Sequence, residues 1–301
     1  MITKSTLAKY VKSNLPPESA ESEWSVVGVA PTYRYIFKQA RGMLGRPLGK
    51  DEKRICRDVY EDFFDAQDRK EASSSLFLIL MAYSDDYAPG PICEALARKY
   101  CELHGHDFAC IVAPASDMLA KISPRTNLTW FKIPLLQTYL KKEEYDYVVW
   151  VDADAAIVHP ERDVFASLAK AYPDKDLIIS EDLTPACLIN CGVMMFRSTH
   201  WTKFIVDSVW NCHKRYHKVR QFEQSALQKL LVAREQLDQI ADPFHSFRGG
   251  PGVKLTRRTA VLPRGVINTQ VDSEASFIFH AIGSTRGDAK RVQILRQLEY
   301  K

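Results

Sequence analysis

Short apolar runs alternate with segments of helical spacing along the chain after Ser75, and no other feature limits the fold as strongly. The clearest runs cover 76–81, 108–113 and 147–151, and a helical pattern separates each run from the next. Continuous apolar strands are typical of a sheet that is covered on both faces. The alternation therefore predicts an α/β fold in which helices pack on both faces of a central sheet.

The same criteria predict the remaining elements of this fold. Strands are predicted at 177–179, 193–196, 260–262 and 277–279. Helices are predicted at 91–104, 129–142, 199–216, 222–231 and 290–299. In sheets of this kind ligands bind beyond the carboxyl ends of the strands, so candidate functional residues are expected there.

The first 72 residues differ in texture from the rest of the chain. Ile55, Val59 and Phe63 recur every four residues among many charges, which predicts an amphipathic helix over 51–71. We therefore expect a helical N-terminal extension over the first 72 residues and a main domain over 73–301.

Composition excludes several classes of protein. Lys and Arg number 41 and Asp and Glu number 37, and a net charge of +4 is too mild to indicate nucleic-acid binding. No apolar run approaches the length of a transmembrane helix, and the start of the chain lacks the pattern of a signal peptide. Seven cysteines without a CxxC pair argue against a disulfide framework and a structural zinc site. These features favour the cytoplasm.

A pair of carboxylates follows the third apolar run. The run 147–151 ends directly at Asp152 and Asp154, with small Ala153 and Ala155 beside them. Carboxylates at the end of a buried strand need cations or hydrogen-bond donors. Oxygen ligands suit Mn²⁺ or Mg²⁺, which keep positions open for substrate phosphates. The pair therefore predicts a divalent metal site, and a solvated turn is the alternative.

Three downstream segments carry polar residues beside a strand or at the start of a helix. They contribute Asn190 and Gly192, then Glu223 and Gln224, and then His280, Gly283 and Arg286. An imidazole is a good third ligand for Mn²⁺. Glycine lets the backbone approach a phosphate, and arginine neutralises phosphate charge. The segments therefore favour a site that binds a metal together with a phosphorylated ligand.

Taken together, the segments resemble retaining, metal-dependent glycosyltransferases of the GT-A fold. The closest resemblance is to the yeast galactosyl- and mannosyltransferases and plant xyloglucan xylosyltransferases, glycosyltransferase family 34, followed by the glycogenin-like family 8. It rests on Trp130-Phe-Lys-Ile-Pro-Leu-Leu, Tyr147-Val-Val-Trp-Val-Asp-Ala-Asp-Ala and Leu188-Ile-Asn-Cys-Gly-Val-Met-Met-Phe-Arg, and covers roughly 75–290. The resemblance implies a Rossmann-like GT-A catalytic domain with a single central mixed sheet. It also implies the Golgi lumen as the alternative location to the cytoplasm, if a membrane anchor has been removed.

The resemblance also implies a role for individual residues. The metal ligands would be Asp152, Asp154 and His280, with Asp152 also near the ribose or sugar. The donor diphosphate would contact Gly283 and Arg286, with Lys290 as an alternative contact. The nucleotide base would lie at Ala82 and Tyr83, and Lys132 would face the donor phosphate or sugar. The donor sugar would be lined by Asn190 and Gly192, with Glu223 and Gln224 beneath the anomeric carbon as the catalytic pair.

The implied activity is transfer of a hexose or pentose from a nucleotide-diphosphate donor, with a UDP-sugar expected first. The acceptor would be a hydroxyl of a glycan or another molecule, and retention of configuration is carried by the resemblance alone. One alternative is a metal-dependent nucleotidyltransferase or phosphohydrolase, which should carry a glycine-rich loop that is missing after the first strand. A second alternative is an inactive protein that binds sugar nucleotides. The sequence predicts neither the acceptor nor the oligomeric state.

Overall fold

The computed structural model describes residues 2–14, 33–65, 75–123, 126–182, 187–219, 221–231, 257–270, 276–281 and 287–299. The chain divides into two compact units. One unit comprises Met1–Ala72 and Thr199–Asp207, and the other comprises Ser73–Ser198 and Ser208–Lys301. The domain boundary expected from the sequence, between residues 72 and 73, stays a prediction.

The N-terminal part of the smaller unit is helical. Its described helices are α1 (Lys4–Ser13), α2 (Tyr33–Leu44) and α3 (Lys50–Asp65). The hydroxyl of Thr3 caps α1 by accepting a hydrogen bond from the backbone N–H of Thr6. The predicted helix over 51–71 is present as α3, and its expected last residues, from position 66 onward, lie outside the described part.

Eight strands are described in the larger unit. They are β1 (Phe77–Ser84), β2 (Asp107–Ala113), β3 (Tyr147–Val151), β4 (Ala155–Ile157), β5 (Leu177–Glu181), β6 (Ile189–Arg197), β7 (Thr259–Leu262) and β8 (Ile278–His280). Six form a sheet in the order β2-β1-β3-β6-β5-β7, and β4 pairs with β8 in a second sheet. In the larger sheet β6 runs antiparallel to β3 and β5, and the other pairs are parallel. The prediction of an α/β fold with a central mixed sheet is confirmed.

The central strands are buried on both faces, which explains why their sequences are continuous apolar runs. All five residues of β3 are buried, as are consecutive residues of β1 such as Leu78 and Ile79, which point to opposite faces of the sheet. The helices of this unit are α4 (Gly90–His104), α5 (Ala115–Ile122), α6 (Lys132–Lys142), α7 (Val164–Ala171), α9 (His213–Tyr216), α10 (Phe222–Leu231) and α11 (Gly287–Glu299), while α8 (His200–Asn211) continues from the smaller unit.

The structure changes two predictions that affect the site. The strand predicted at 193–196 begins earlier, at Ile189, so Asn190 and Gly192 lie within β6 rather than before it. The short strand β4 was not predicted, because its three residues form a strand only through pairing with β8, which is distant along the chain. In the part of the chain that the structure describes, no helix has both the length and the apolar character needed to cross a membrane.

Candidate active site

Strand pairing brings the carboxylate pair next to His280. The chain leaves β3 and turns at Asp152, whose carbonyl accepts a hydrogen bond from the N–H of Ala155 at 2.9 Å. The following strand, β4, pairs with β8 in a register that sets Ala155 opposite His280. The N–H of Ala281 also donates to the carbonyl of Asp154 at 2.8 Å. Backbone pairing alone therefore closes a separation of 126 residues between Asp154 and His280.

The side chains of Asp152, Asp154 and His280 form a candidate metal site. Each offers one ligand atom, and these atoms all lie within 4.8 Å of one another. His280 Nε2 lies 3.1 Å from Asp154 Oδ1. Two carboxylate oxygens and one imidazole nitrogen fit Mn²⁺ or Mg²⁺, and would leave half of an octahedral shell for other ligands.

The carboxylate of Asp154 is held in its ionised form. Burial by itself would raise its pKa, but the neighbouring His280, the positive charge of Arg291 and a hydrogen bond from Tyr87 together lower that pKa to about 2. Arg291 Nη1 in turn donates to the hydroxyl of Tyr87 at 3.1 Å. Asp154 is therefore a carboxylate at neutral pH, which is the form that binds a metal.

Lys132 links Asp152 to a second buried carboxylate. Its ammonium donates to Asp152 Oδ1 at 2.8 Å and to the carbonyl of Cys191 at 3.1 Å, and lies 3.2 Å from Glu223 Oε1. These three partners match the three donors of an ammonium group. Burial would lower the pKa of Lys132, but the charges of Asp152 and Glu223 outweigh burial and raise it. The ammonium is therefore a fixed positive charge between the two carboxylates.

Asp152 has one oxygen committed to the protein. Its Oδ1 accepts from Lys132 and also from the indole N–H of Trp150 at 2.6 Å. The backbone N–H of Asp152 donates to the carbonyl of Gly192 at 2.7 Å. These bonds fix the orientation of the carboxylate at the end of β3.

Glu223 is buried at the start of α10 with one oxygen unsatisfied. Its Oε1 faces Lys132, whereas its Oε2 is buried and has no hydrogen-bond partner within the described part of the chain. An unpaired oxygen of a buried carboxylate is costly, so a hydrogen-bond donor is expected to reach it when a ligand binds. Its neighbour Gln224 accepts a hydrogen bond from the N–H of Cys191 at 2.9 Å, which ties α10 to β6.

Two strained residues precede Glu223. Gln221 has φ +63° and Phe222 has φ +44°, and both are therefore in the left-handed region that favours glycine. Such conformations cost about 1–3 kcal/mol each and persist where the surrounding structure enforces them. The strained turn sets the position from which α10 carries Glu223 and Gln224 into the site.

Gly192 lies on β6 against the ring of His280, and Asn190 precedes it on the same strand. Asn190 Oδ1 accepts from the N–H of Gly192 at 2.8 Å, and its Nδ2 donates to Asp182 at 3.0 Å. A Cβ at position 192 would lie 2.1 Å from Cε1 and 2.7 Å from Nδ1 of His280. The glycine is therefore required by the close approach of the imidazole ring to the strand.

The other predicted residues lie on β1, on α11 or outside the described part. Ala82 and Tyr83 lie near the carboxyl end of β1, and the Tyr83 hydroxyl donates to Glu94 at 2.7 Å. Lys290 is exposed on α11. Gly283 and Arg286 fall outside the described residues.

The sequence analysis missed Asn268, Trp150, Tyr87 and Arg291. Asn268 is fully buried, and its Oδ1 faces His280 Nδ1 at 2.8 Å. It lies in an irregular segment, where no periodic pattern marks it. Trp150 belongs to an apolar run and is indistinguishable there from a core residue. Of these four residues, only Arg291 could have been found from the sequence, because it is a second basic residue directly after Lys290.

Comparison with solved structures identifies the fold. The chain matches a glycosyltransferase involved in the glycosylation of the major capsid of PBCV-1, with a TM-score of 0.51 and 14% identity, over 74% of this chain and 99% of that chain. This is the GT-A fold. At 14% identity the likeness establishes the fold alone, so the predicted assignment to family 34 or family 8 stays a prediction.

Two further solved structures match less well. The glycosyltransferase GlyE of Streptococcus pneumoniae TIGR4 has a TM-score of 0.39 and 12% identity, over 63% of this chain and 45% of that chain. Mouse xyloside xylosyltransferase 1 has a TM-score of 0.34 and 10% identity, over 50% of this chain and 80% of that chain. No protein-family model and no curated protein sequence matches the chain.

Proposed function

We propose that this protein is a metal-dependent glycosyltransferase that moves a sugar from a nucleotide-diphosphate donor, a UDP-sugar first, to a hydroxyl of a glycan or another acceptor. The observation that carries the proposal is the cluster of Asp152, Asp154 and His280 beside the buried pair of Lys132 and Glu223. The cluster lies beyond β3, where α/β sheets bind ligands, and the GT-A fold supports this choice of reaction.

Asp152, Asp154 and His280 would hold the metal. When bound, Mn²⁺ or Mg²⁺ supplies a Lewis acid that neutralises charge on the leaving diphosphate. Lys132 adds a fixed positive charge behind Asp152, and it costs no reorganisation during the reaction because its partners already hold it. Arg286, with Lys290 as the alternative, would contact the diphosphate, and Gly283 would let the backbone approach it.

Glu223 would act on the sugar. Its unsatisfied Oε2 can accept a hydrogen bond from a sugar hydroxyl and stabilise the positive charge that develops at the anomeric carbon. Gln224 holds the start of α10 against β6, which keeps Glu223 in place. In the retaining reaction that we propose, the acceptor hydroxyl attacks from the face that the nucleotide leaves, and the departing phosphate accepts its proton.

The remaining predicted residues would shape the donor pocket. Ala82 and Tyr83 would contact the nucleotide base, with the hydroxyl of Tyr83 fixed by Glu94. Asn190 and Gly192 would form the wall beside the donor sugar, because their mutual hydrogen bond fixes that segment of β6.

The test is hydrolysis of a panel of UDP- and GDP-sugars with Mn²⁺ or with EDTA. The wild type should slowly release the sugar from one of the donors, and this release should require the metal. Asp154→Ala should abolish this release, and Asp174→Ala, which removes an exposed carboxylate, should leave it unchanged.

The other outcomes are equally informative. Nucleotide binding without turnover would indicate an obligatory acceptor or a sugar-nucleotide sensor, and adding candidate acceptors would separate the two. Release of inorganic phosphate instead of sugar would favour a phosphohydrolase. Absence of any metal-dependent nucleotide binding would overturn the proposal.

A further inference from the structure

We propose that Asn268 and Gly192 are positioning residues that fix the imidazole of His280 as the nitrogen ligand of the metal. The inference rests on the proposed function, because it assumes that a divalent metal binds at Asp152, Asp154 and His280. In this proposal, Asn268 determines which ring nitrogen carries the hydrogen. Gly192 determines how closely the ring approaches β6.

Asn268 fixes which nitrogen of the ring carries the hydrogen. Its Oδ1 lies 2.8 Å from His280 Nδ1, and because an amide oxygen only accepts, Nδ1 carries the hydrogen and donates it. Nε2, which faces Asp154 Oδ1 at 3.1 Å, is then the nitrogen that binds a metal, and it releases the proton that it shares with Asp154 when the metal binds. A hydrogen bond from the distal nitrogen is the usual way in which proteins orient a histidine ligand.

The backbone around Asn268 is fixed by hydrogen bonds to β8. The N–H of His280 donates to the carbonyl of Thr269 at 2.7 Å, and the N–H of Thr269 donates to the carbonyl of Ile278 at 3.2 Å. The N–H of Gly265 donates to the carbonyl of Asn268 at 3.2 Å. The amide of Asn268 therefore has a fixed position relative to the ring.

The other end of the Asn268 amide argues that the contact with His280 is the reason for an amide here. Asn268 Nδ2 is buried and has no hydrogen-bond partner within the described part of the chain. A buried amide with an unsatisfied donor is costly, whereas an apolar side chain of similar volume would avoid this cost. Packing alone would therefore favour leucine, so the benefit of asparagine lies in its oxygen.

Gly192 limits the position of the ring from β6. A Cβ at this position would lie 2.1 Å from Cε1 and 2.7 Å from Nδ1 of His280, and the ring is buried. The backbone at Gly192 is also fixed, because its carbonyl accepts from Asp152 and its N–H donates to Asn190. Any side chain here would therefore displace the imidazole from the two aspartates.

The test measures Mn²⁺ binding to the purified full chain through the decrease of the electron paramagnetic resonance signal of free Mn²⁺. Electron spin echo modulation of the bound ion would show whether a ring nitrogen is coordinated. Asn268→Leu should weaken binding by about 10–100-fold and lose the nitrogen modulation. Asn268→Asp, which keeps an acceptor at the same place, should retain both. Gly192→Ala should weaken binding, and Gly42→Ala, where a Cβ meets no atom within 4 Å, should not.

Thermal unfolding without metal shows which variants are folded. A folded Asn268→Leu variant with wild-type affinity and an intact nitrogen signal would overturn the role of Asn268. If Asn268→Leu does not fold, loss of binding in the folded Asn268→Asp variant would overturn it instead. Wild-type Mn²⁺ affinity in a folded Gly192→Ala variant would overturn the role of Gly192. A wild type that binds no Mn²⁺ would instead refute the proposed function on which the inference rests.

Discussion

The two sides of the candidate site hold their charges in different ways. On the metal side, the side chains of Asp152 and Asp154 remain 27% and 16% exposed and are brought together by regular strand pairing. On the other side, Lys132 and Glu223 are 4% and 6% exposed and meet where two helices begin. The two aspartate side chains are partly exposed, whereas the lysine side is already neutralised within the protein. We therefore expect the metal side to determine metal binding. We expect the lysine side to contribute to the stability of the fold in addition to its role in the site.

The largest effect should come from Lys132→Met. In the described part of the chain, Lys132 is the only residue that forms an ion pair with Glu223. The change therefore leaves a buried carboxylate without a counter-charge. Breaking a buried ion pair in this way costs about 3–5 kcal/mol, so the free energy of unfolding in urea should fall by that amount. Lys290→Met, which removes an exposed ammonium, is the control. The double variant with Glu223→Gln should recover part of the loss, and a loss of less than about 1 kcal/mol in the single variant would contradict the comparison.

A smaller effect should appear on the metal side as the pH falls. The pKa of Asp154 is lowered from 3.8 to about 2, so its ionised form stabilises the folded state above about pH 4, and this contribution is lost as the pH falls toward 2. The difference in unfolding free energy between wild type and Asp154→Asn should therefore shrink by about 2 kcal/mol over this range in EDTA. Asp117→Asn, at an exposed position, serves as the control. A difference that does not change with pH would show that Asp154 gains no stability from its neighbours.

The sequence could predict the metal side better than the lysine side, and the reason is local. Asp152, Asp154 and His280 each lie at or just beyond the end of an apolar strand, and the ends of strands meet at one edge of a sheet. Lys132 follows a short 3-10 helix at the start of α6, where a lysine ordinarily lies on the surface. Its burial depends on the carboxylates of Asp152 and Glu223, which lie 20 and 91 positions further along the chain. No local pattern contains that information.

The order of strands could not be predicted for the same reason. The apolar runs indicated buried strands, but the antiparallel insertion of β6 between β3 and β5 depends on contacts between distant segments. Asn268 was missed because its hydrogen bond to His280 depends on a bridge between an irregular segment and β8. Patterns of one or two turns or strands were therefore sufficient for the fold class and pointed to the three residues of the candidate metal site, but were insufficient for the residues that orient them.

The smallest effect should come from Gln221→Gly. Left-handed backbone at a residue other than glycine costs about 1–2 kcal/mol, and the greater freedom of glycine in the unfolded chain offsets part of the gain. We expect the variant to be more stable by up to about 1 kcal/mol in urea unfolding, and less active because Glu223 is less firmly placed. Glu143→Gly, which relieves the same conformation at the end of α6, should gain similar stability with unchanged activity. Equal activity in both variants would show that the strained turn does not serve the site.

The hydrogen bond from the Trp150 indole to Asp152 gives the site its own optical reporter. The indole N–H lies 2.6 Å from an oxygen of a candidate metal ligand, so a change in charge at that carboxylate acts directly on the chromophore. Paramagnetic Mn²⁺ should quench the emission of Trp150, whereas Mg²⁺ should only shift its wavelength. Fluorescence of the unlabelled protein could therefore follow occupancy of the site, with Trp150→Phe identifying the part of the signal that comes from this residue.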